Sequence, residues 1–369
     1  MLAKYSKRRS SSKKQCSTFI NELCHEFSLD ELKKATNNFD ENRKIGKVMG
    51  DIVYKGYVKY NGENDYPIAL LRITDVFRGQ GFKNEIEHLC QLCHPNLISF
   101  IGFCDQKNKK ILVYKKDEMV NGTLQDHLGS RDMESLSWKK RLEICIGAAK
   151  GLHYLHTGTK RPIFHRDVIP QNILLDNNMA PKLSQFGLSL QGKLSKSESI
   201  PIVVRICGPY GFCAPEYLQT RTYTDKCDVY SFGMVLLHVI LCMNNFLTIY
   251  GKMKMLEKRR NEILEPNKRR LEYELDLSNR DDWNLFNPTY FLERFPADEI
   301  IDPILTRLIS PECLAVFVNI MKRCLNREEP NERPSMGEVE VELEHALALQ
   351  EEAERETSIT FFPPTNGEI

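Results

Sequence analysis

IFHRDVIPQNILLD, residues 163–176, sets His165, Arg166 and Asp167 in a row and places Asn172 five residues past the carboxylate. A carboxylate, a cation and an amide at this spacing, H-R-D-x-x-x-x-N, form a pattern that carries chemistry as well as packing. Working outward, Gln185-Phe186-Gly187 follows Asn172 by thirteen residues. Ala214-Pro215-Glu216 comes next, and then Asp228-Val229-Tyr230-Ser231-Phe232-Gly233. Four motifs in this order are not a chance arrangement, and together they decide the fold.

The rest of the composition agrees with a folded chain of more than one compact unit. It has 369 residues, of which 41% are hydrophobic and 27% charged, inside the range of globular proteins and outside that of disordered or collagenous ones. Lys+Arg 51 against Asp+Glu 50 leaves a net charge of +1, so no global basic excess exists to hold nucleic acid. Twelve cysteines without paired spacing predict reduced thiols and a cytoplasmic chain. The longest apolar run, near Met234 to Met243, is interrupted by His238 and falls short of the ~20 residues that span a bilayer.

Composition shifts divide the chain. Residues 1–25 carry Lys4, Lys7, Arg8, Arg9, Lys13 and Lys14 among serines, which predicts a disordered basic arm able to meet an anionic membrane surface, with Cys16 open to acylation. Residues 26–44 open with the capping box Ser28 to Glu31, and Leu29, Leu32, Ala35 and Phe39 follow at helical spacing. Between Ile45 and Tyr114, strand-like segments (Ile52–Val58, Pro67–Ile73, Ile111–Tyr114) surround one helical stretch, Phe82–Leu92. From Gly122 to Leu349 the spacing turns helical, as at Leu142, Cys145, Ala149 and Leu152. A charged insertion is expected at about 244–282 and a loose tail at 350–369. The fold class is α+β: a small strand-rich lobe over 45–114 and a larger mainly α lobe over 122–349.

With FSLDELKKATNNF (27–39), LISFIGFC (97–104), NGTLQDHL (121–128), CDVYSFG (227–233) and ERPSMGEV (332–339), the chain resembles plant receptor-like Ser/Thr protein kinases of the FERONIA-like group, in a receptor-like cytoplasmic form. The resemblance implies a two-lobed protein kinase fold and, as an enzyme class, an ATP-dependent phosphotransferase using magnesium. It also implies roles: Asp167 as base, Asn172 as metal ligand, and Glu85 as the helix glutamate. Ile45, Gly46, Val53, Ala69, Leu71, Tyr114 and Leu174 would surround the nucleotide, with Tyr114 in the gatekeeper position. Glu216 and Arg333 would form a buried pair, and Asp228 would brace the catalytic loop.

Five parts of that machinery are altered. Phosphoryl transfer depends on positioned phosphates, bridging metal ions and a base near the acceptor. The glycine-rich loop reads IGKVMGDIV over 45–53, with Val48 and Asp51 at its second and third glycine positions, where the Asp51 carboxylate is expected to lie in the path of the phosphates. The strand lysine is Leu71, and Arg72 beside it faces the other side of the strand. Gln185 replaces the metal-binding aspartate, Ile169 the catalytic-loop lysine, and Pro209 the activation-segment threonine. Binding of ATP and Mg is therefore expected to be weak or absent, and catalysis impaired. Lys47 or Lys55 could stand in for the missing cation if it reached the phosphates. Ser195, Ser197 and Ser199 are candidate phosphorylation sites with Arg166 as the phosphate's partner. Cys90 to His94 fits C-x-x-C-H, a haem-attachment pattern in a position where an ordinary connection is expected. Partners implied by the resemblance are other receptor-like kinases or signalling proteins at the cytoplasmic face of a plasma membrane.

Overall fold

The computed structural model describes residues 24–48, 50–74, 76–106, 108–129, 136–192, 200–241, 301 and 305–361. Most of the basic arm, the three activation-segment serines and the charged insertion lie outside these residues. Two compact units emerge: Met1–Thr123 with Asn172–Gln191, and Leu124–Gln171 with Gly192–Ile369.

The first unit is built on a six-stranded sheet. Its strands are β1 (His25–Glu26), β2 (Lys44–Val48), β3 (Asp51–Tyr60), β4 (Glu63–Ile73), β5 (Phe100–Gln106) and β6 (Lys109–Lys115), in the order β1-β5-β6-β4-β3-β2. Only the β1–β5 pairing is parallel. Strand alternation sends Tyr54, Val58, Ile68, Leu70, Ile111 and Val113 to one face, where they pack with Leu29, Leu32 and Ala35 of helix α1 (Leu29–Ala35). The capping box forms as expected: the Ser28 hydroxyl accepts from the Glu31 N–H at 3.2 Å, and the Glu31 carboxylate accepts from the Ser28 N–H at 2.8 Å. Phe39, read as part of the helical stripe, lies beyond the helix end. Asn37, Asn38 and Phe39 all adopt positive φ, and the Phe39 ring instead packs on Tyr54 and under the Arg72 guanidinium, 5.3 Å from it. Arg72 thus faces the side of the sheet away from Leu71, as alternation requires.

Helix α2 runs over Val76–Leu89, earlier at both ends than the expected Phe82–Leu92. Phe82 is fully buried and meets Phe103 edge-on. The hairpin Ile173–Leu175 with Pro181–Leu183 joins this unit through main-chain bonds from Leu183 N–H to Asn96 and from Ile98 N–H to Leu183.

Helices dominate the second unit: α3 (Leu124–Gly129), α4 (Trp138–His153), α5 (Pro215–Thr220), α6 (Asp225–Leu241), α7 (Pro311–Cys324) and α8 (Met336–Phe361). Helix α6 is buried on every side from Cys227 to Leu241, the pattern of a central core helix. Around it, Trp138 meets Phe317 at 4.9 Å, and α8 lies along α4 through His153–Glu340, Lys150–Glu344 and Lys139–Glu351. Helix α8 continues past Leu349, where a loose tail was expected, because Gln350 is buried: its amide donates to the Leu308 carbonyl and accepts from the Ser310 N–H. Among the described residues no helix is long and apolar enough to cross a membrane.

The expectation that all cysteines are reduced is overturned by a disulfide between Cys24 and Cys90. Residue spacing could not reveal it, since the two lie 66 positions apart and meet only because β1 pairs beside β5 and α2.

Candidate active site

Register fixes the inner face of the sheet. Leu71 sits on β4 between Val53 on β3 and Leu112 on β6, while Ala69 sits between Lys55 and Tyr114. Leu71 is 1% exposed, so an isobutyl group is sealed where the resemblance expects an ammonium. Val53, Ala69, Tyr114 and Leu174 are buried as well, whereas Ile45 is 41% exposed. Gly46 lies opposite Val53 in the β2–β3 hairpin.

Glu85, left without its lysine, is not stranded. It is buried on α2, and its Oε1 accepts a hydrogen bond of 3.0 Å from the Tyr114 hydroxyl. A bond from a neutral hydroxyl to a buried carboxylate partly replaces an ion pair. One residue earlier, the two N–H groups of the Asn84 amide are shared among three carbonyls, Phe186 at 3.2 Å, Gly187 at 3.0 Å and Ser189 at 2.9 Å. Gly81 permits this approach: a Cβ there would lie 2.9 Å from the Gly187 carbonyl oxygen. Helix α2 is therefore fastened to the segment after Gln185 by its own side chains. Sequence reasoning missed Asn84, because its partners are backbone atoms about a hundred residues away.

The expected place of Asp51 needs correction. Its carboxylate is fully buried and accepts from the Thr74 N–H at 2.6 Å and the Thr74 hydroxyl at 2.9 Å. It fastens the start of β3 to the end of β4 and is sealed from solvent, not presented to it as the sequence predicts. Gln185 is 8% exposed and holds φ 69° and ψ 64°, a left-handed conformation that a non-glycine residue adopts under local constraint. Asn172 is fully buried, and its carbonyl accepts from the Ser184 N–H and hydroxyl.

In the second unit the catalytic-loop backbone is braced as expected. Asp228 accepts from the His165 N–H at 2.8 Å, the Arg166 N–H at 2.9 Å and the Tyr223 hydroxyl at 2.7 Å. His156, which the sequence reading did not single out, lies 2.9 Å away through Nε2. Burial alone would raise the Asp228 carboxyl. The hydrogen bond and charge of His156, the charge of His165 and the Arg166 N–H outweigh burial and hold it below the usual carboxylate range.

Arg166 is committed within this unit. Its guanidinium donates to the Arg205 carbonyl and the Tyr217 hydroxyl, both at 2.9 Å, and stands over the rings of Tyr217 and Tyr223. A phosphate reaching for this arginine would have to displace those contacts. Asp167 and Ile169 line a cavity of about 10 Å³ with Pro209, Cys207 and Cys213, room for about one water. The lysine and threonine that would flank the base are thus replaced together, by two apolar residues that share one small space. Glu216 and Arg333 pair bidentately at 2.7 and 2.9 Å, with Arg333 buried.

Comparison with known proteins agrees with this architecture. The family model for protein tyrosine and serine/threonine kinase matches residues 39–274. Receptor-like protein kinase FERONIA of Arabidopsis thaliana is 39% identical over 341 residues, covering 92% of this chain and 34% of that protein. Receptor-like protein kinase ANXUR2, also of Arabidopsis thaliana, is 39% identical over 345 residues, 94% of this chain and 36% of that protein. The chain spans about a third of the length of the curated relatives it matches. A strand-rich unit carrying one main helix, a helical unit with a braced His165-Arg166-Asp167 loop, and a family match over most of the length make this chain a member of the protein tyrosine and serine/threonine kinase family, with the two-lobed α+β fold and with kinship to the FERONIA-like receptor-like kinases.

Proposed function

We propose that this domain is a pseudokinase that acts as a scaffold or allosteric partner of receptor-like kinases in phosphorylation signalling. The observation that carries the reading is the Glu85–Tyr114 hydrogen bond beside a sealed Leu71: the anchor for nucleotide phosphates is replaced by an internal bond of the fold. The donors that Mg·ATP would meet do not fit it. Position 71 offers hydrocarbon, position 185 offers a neutral amide that binds magnesium poorly beside a carboxylate, and Glu85 is already hydrogen-bonded. The test is a thermal melt of the full chain with ATP, with and without magnesium. A ligand at 100 times its dissociation constant adds ~2.7 kcal/mol, so even modest binding is visible. Melting temperatures unchanged by Mg·ATP are expected, and a clear magnesium-dependent rise would overturn the reading.

The alternative is a weakly active Ser/Thr kinase. Lys55 favours it, because it shares a strand face with Val53 and pairs with Ala69, and Asp167 is retained at the position of the base. Incorporation of labelled phosphate that is lost in Lys55→Met and Asp167→Asn would support this reading against the first.

Peripheral binding to the cytoplasmic face of the plasma membrane is part of the proposal, resting on the six cations before Cys16. Six charges at ~1 kcal/mol each set an upper bound of roughly 6 kcal/mol, reduced by salt screening. Co-sedimentation with anionic vesicles should fall in high salt and on removing residues 1–15. Equal binding by both forms would leave the arm as a solvated tail.

A further inference from the structure

The Cys24–Cys90 disulfide is a feature that neither the kinase fold nor the phosphate chemistry explains. Cys24 stands immediately before β1, and Cys90 immediately follows α2, its N–H closing the helix on the Ile86 carbonyl at 3.0 Å. The bond therefore joins the point where the first 23 residues meet the sheet to the C-terminal end of the helix that carries Asn84 and Glu85. Besides the disulfide, β1 is held by two register pairs to β5, by the Phe27 N–H to the Phe103 carbonyl and by the buried Phe27 ring, with Leu29 N–H bonded to Gln106 just beyond. The disulfide adds the covalent tether on the Cys24 side of this short edge strand.

The other cysteines indicate the chemistry of its surroundings. Cys104, Cys145, Cys227, Cys313 and Cys324 are buried free thiols, and burial pushes Cys145 and Cys324 up to about 12, leaving them inert. Thiols sealed in this way take no part in exchange, so a reversible bond can involve only cysteines that a reagent reaches. Cys90, in contrast, is partly exposed, and Cys93 three residues on is an exposed thiol. The C-x-x-C pair that resembled a haem site is thus half of a disulfide and half of a free surface thiol.

We propose that Cys24 and Cys90 form a reversible redox clamp that, when oxidised, ties the chain at β1 covalently to the end of α2 and, when reduced, leaves β1 to its non-covalent contacts alone, loosening its edge. This inference does not depend on whether the domain transfers phosphate. Oxidation uses hydrogen peroxide. One thiol gives up its proton, its sulfur takes one peroxide oxygen to become a sulfenic acid, and the departing hydroxide leaves with a proton as water. The second thiol gives up its proton and attacks that sulfur, forming the S–S bond and expelling hydroxide, which leaves with that proton as a second water. Two thiols and one peroxide thus give one disulfide and two waters. Reduction uses a dithiol, which supplies two electrons and two protons and becomes a disulfide itself.

The experiment is peptide-resolved hydrogen exchange on the full chain after treatment with hydrogen peroxide or with dithiothreitol, with the disulfide state read by mass after alkylation. Oxidised protein should protect the amides of 25–28 and 86–92, and reduction should speed their exchange several-fold while α6 is unchanged. Cys24→Ser and Cys90→Ser should each show the fast exchange under either condition, and Cys93→Ser should behave as wild type. Peroxide-treated protein lacking the 24–90 linkage would overturn the proposal, as would identical exchange of both peptides in the two states. A bond that survives millimolar reduced glutathione would also overturn it, since a fixed structural disulfide does not switch.

Discussion

Arg333→Ala tests whether the helical unit is held as the structure describes. Arg333 donates through Nη1 and Nη2 to Glu216, through Nη1 to the Lys226 carbonyl and through Nε to the Asn326 carbonyl, and its guanidinium lies 4.9 Å from the Tyr230 ring centroid. Removing one partner of a buried pair costs about 3–5 kcal/mol, most of it the carboxylate left behind. Glu216 keeps a quarter of its side-chain surface in water and can partly rehydrate, which places the expected loss near the lower end, about 3 kcal/mol. The chain has two tryptophans, Trp138 and Trp283. In a Trp283→Phe background, the buried Trp138 indole reports on the helical unit alone during urea unfolding. The midpoint should fall with an unchanged slope. The double variant Arg333→Met with Glu216→Gln removes both charges and should recover much of the loss. A shift under about 1 kcal/mol would show a pair that behaves as if exposed, and a double variant as poor as the sum of the singles would refute the stranded-carboxylate account.

Tyr114→Phe should destabilise the first unit by about 1.5–3 kcal/mol, the range for a hydrogen bond to a charged group, and speed amide exchange in α2; unchanged stability would mean that Glu85 does not rely on this hydroxyl. Leu71→Lys alone should not restore autophosphorylation, because the new cation still lacks a metal-binding carboxylate, and Gln185→Asp alone should fail for the reciprocal reason; substantial activity in either single variant would contradict that interdependence. Burial lowers His238 to about 4, and the His88 imidazole is lowered by the same cause. Both stay neutral in the fold while the unfolded chain takes up protons below about pH 6.5, so their stabilisation is complete above that pH and is lost as the pH falls, for His238 towards 4 and by roughly 3 kcal/mol. His238→Leu should flatten the stability profile over that window, and an unaltered profile would remove His238 as its source.

Local chemistry made much of this legible in sequence. The capping box at Ser28, the strand alternation that separates Leu71 from Arg72, and the ordered motifs from His165 to Gly233 each depend on residues close together in the chain. What stayed hidden depends on register. Asp51 reads as an intruding carboxylate until the β3–β4 pairing brings Thr74 to it, and Glu85 reads as an orphan until Tyr114 is seen opposite Ala69. Cys24 and Cys90 meet only once β1 has joined β5 beside the helix. The Glu216–Arg333 pair, 117 residues apart, came through family resemblance, since no spacing argument spans that distance. Phe39 was misplaced because helical periodicity continued for one residue type after the backbone had already turned left-handed.

The pattern of what persists argues about what this fold preserves. Arg166 and Gln185 both hold left-handed φ, 67° and 69°, and each such position costs on the order of 1–3 kcal/mol unless its surroundings impose it. Those constraints survive. At Arg166 they come from Asp228, whose carboxylate accepts two successive backbone N–H groups, and from the aromatic cage of Tyr217 and Tyr223. At Gln185 they come from the neighbouring Ser184, bonded twice to Asn172, and from the Asn84 amide gripping the three carbonyls that follow. Where the resemblance expects charged side chains, positions 71, 169 and 185 carry hydrocarbon or a neutral amide, while the backbone around them is held by these bonds. On the proposed reading, α2, fastened by its own Asn84 and Glu85, is the element through which a partner would act, and Asn84→Ala should then weaken partner binding while leaving α6 unchanged in amide exchange.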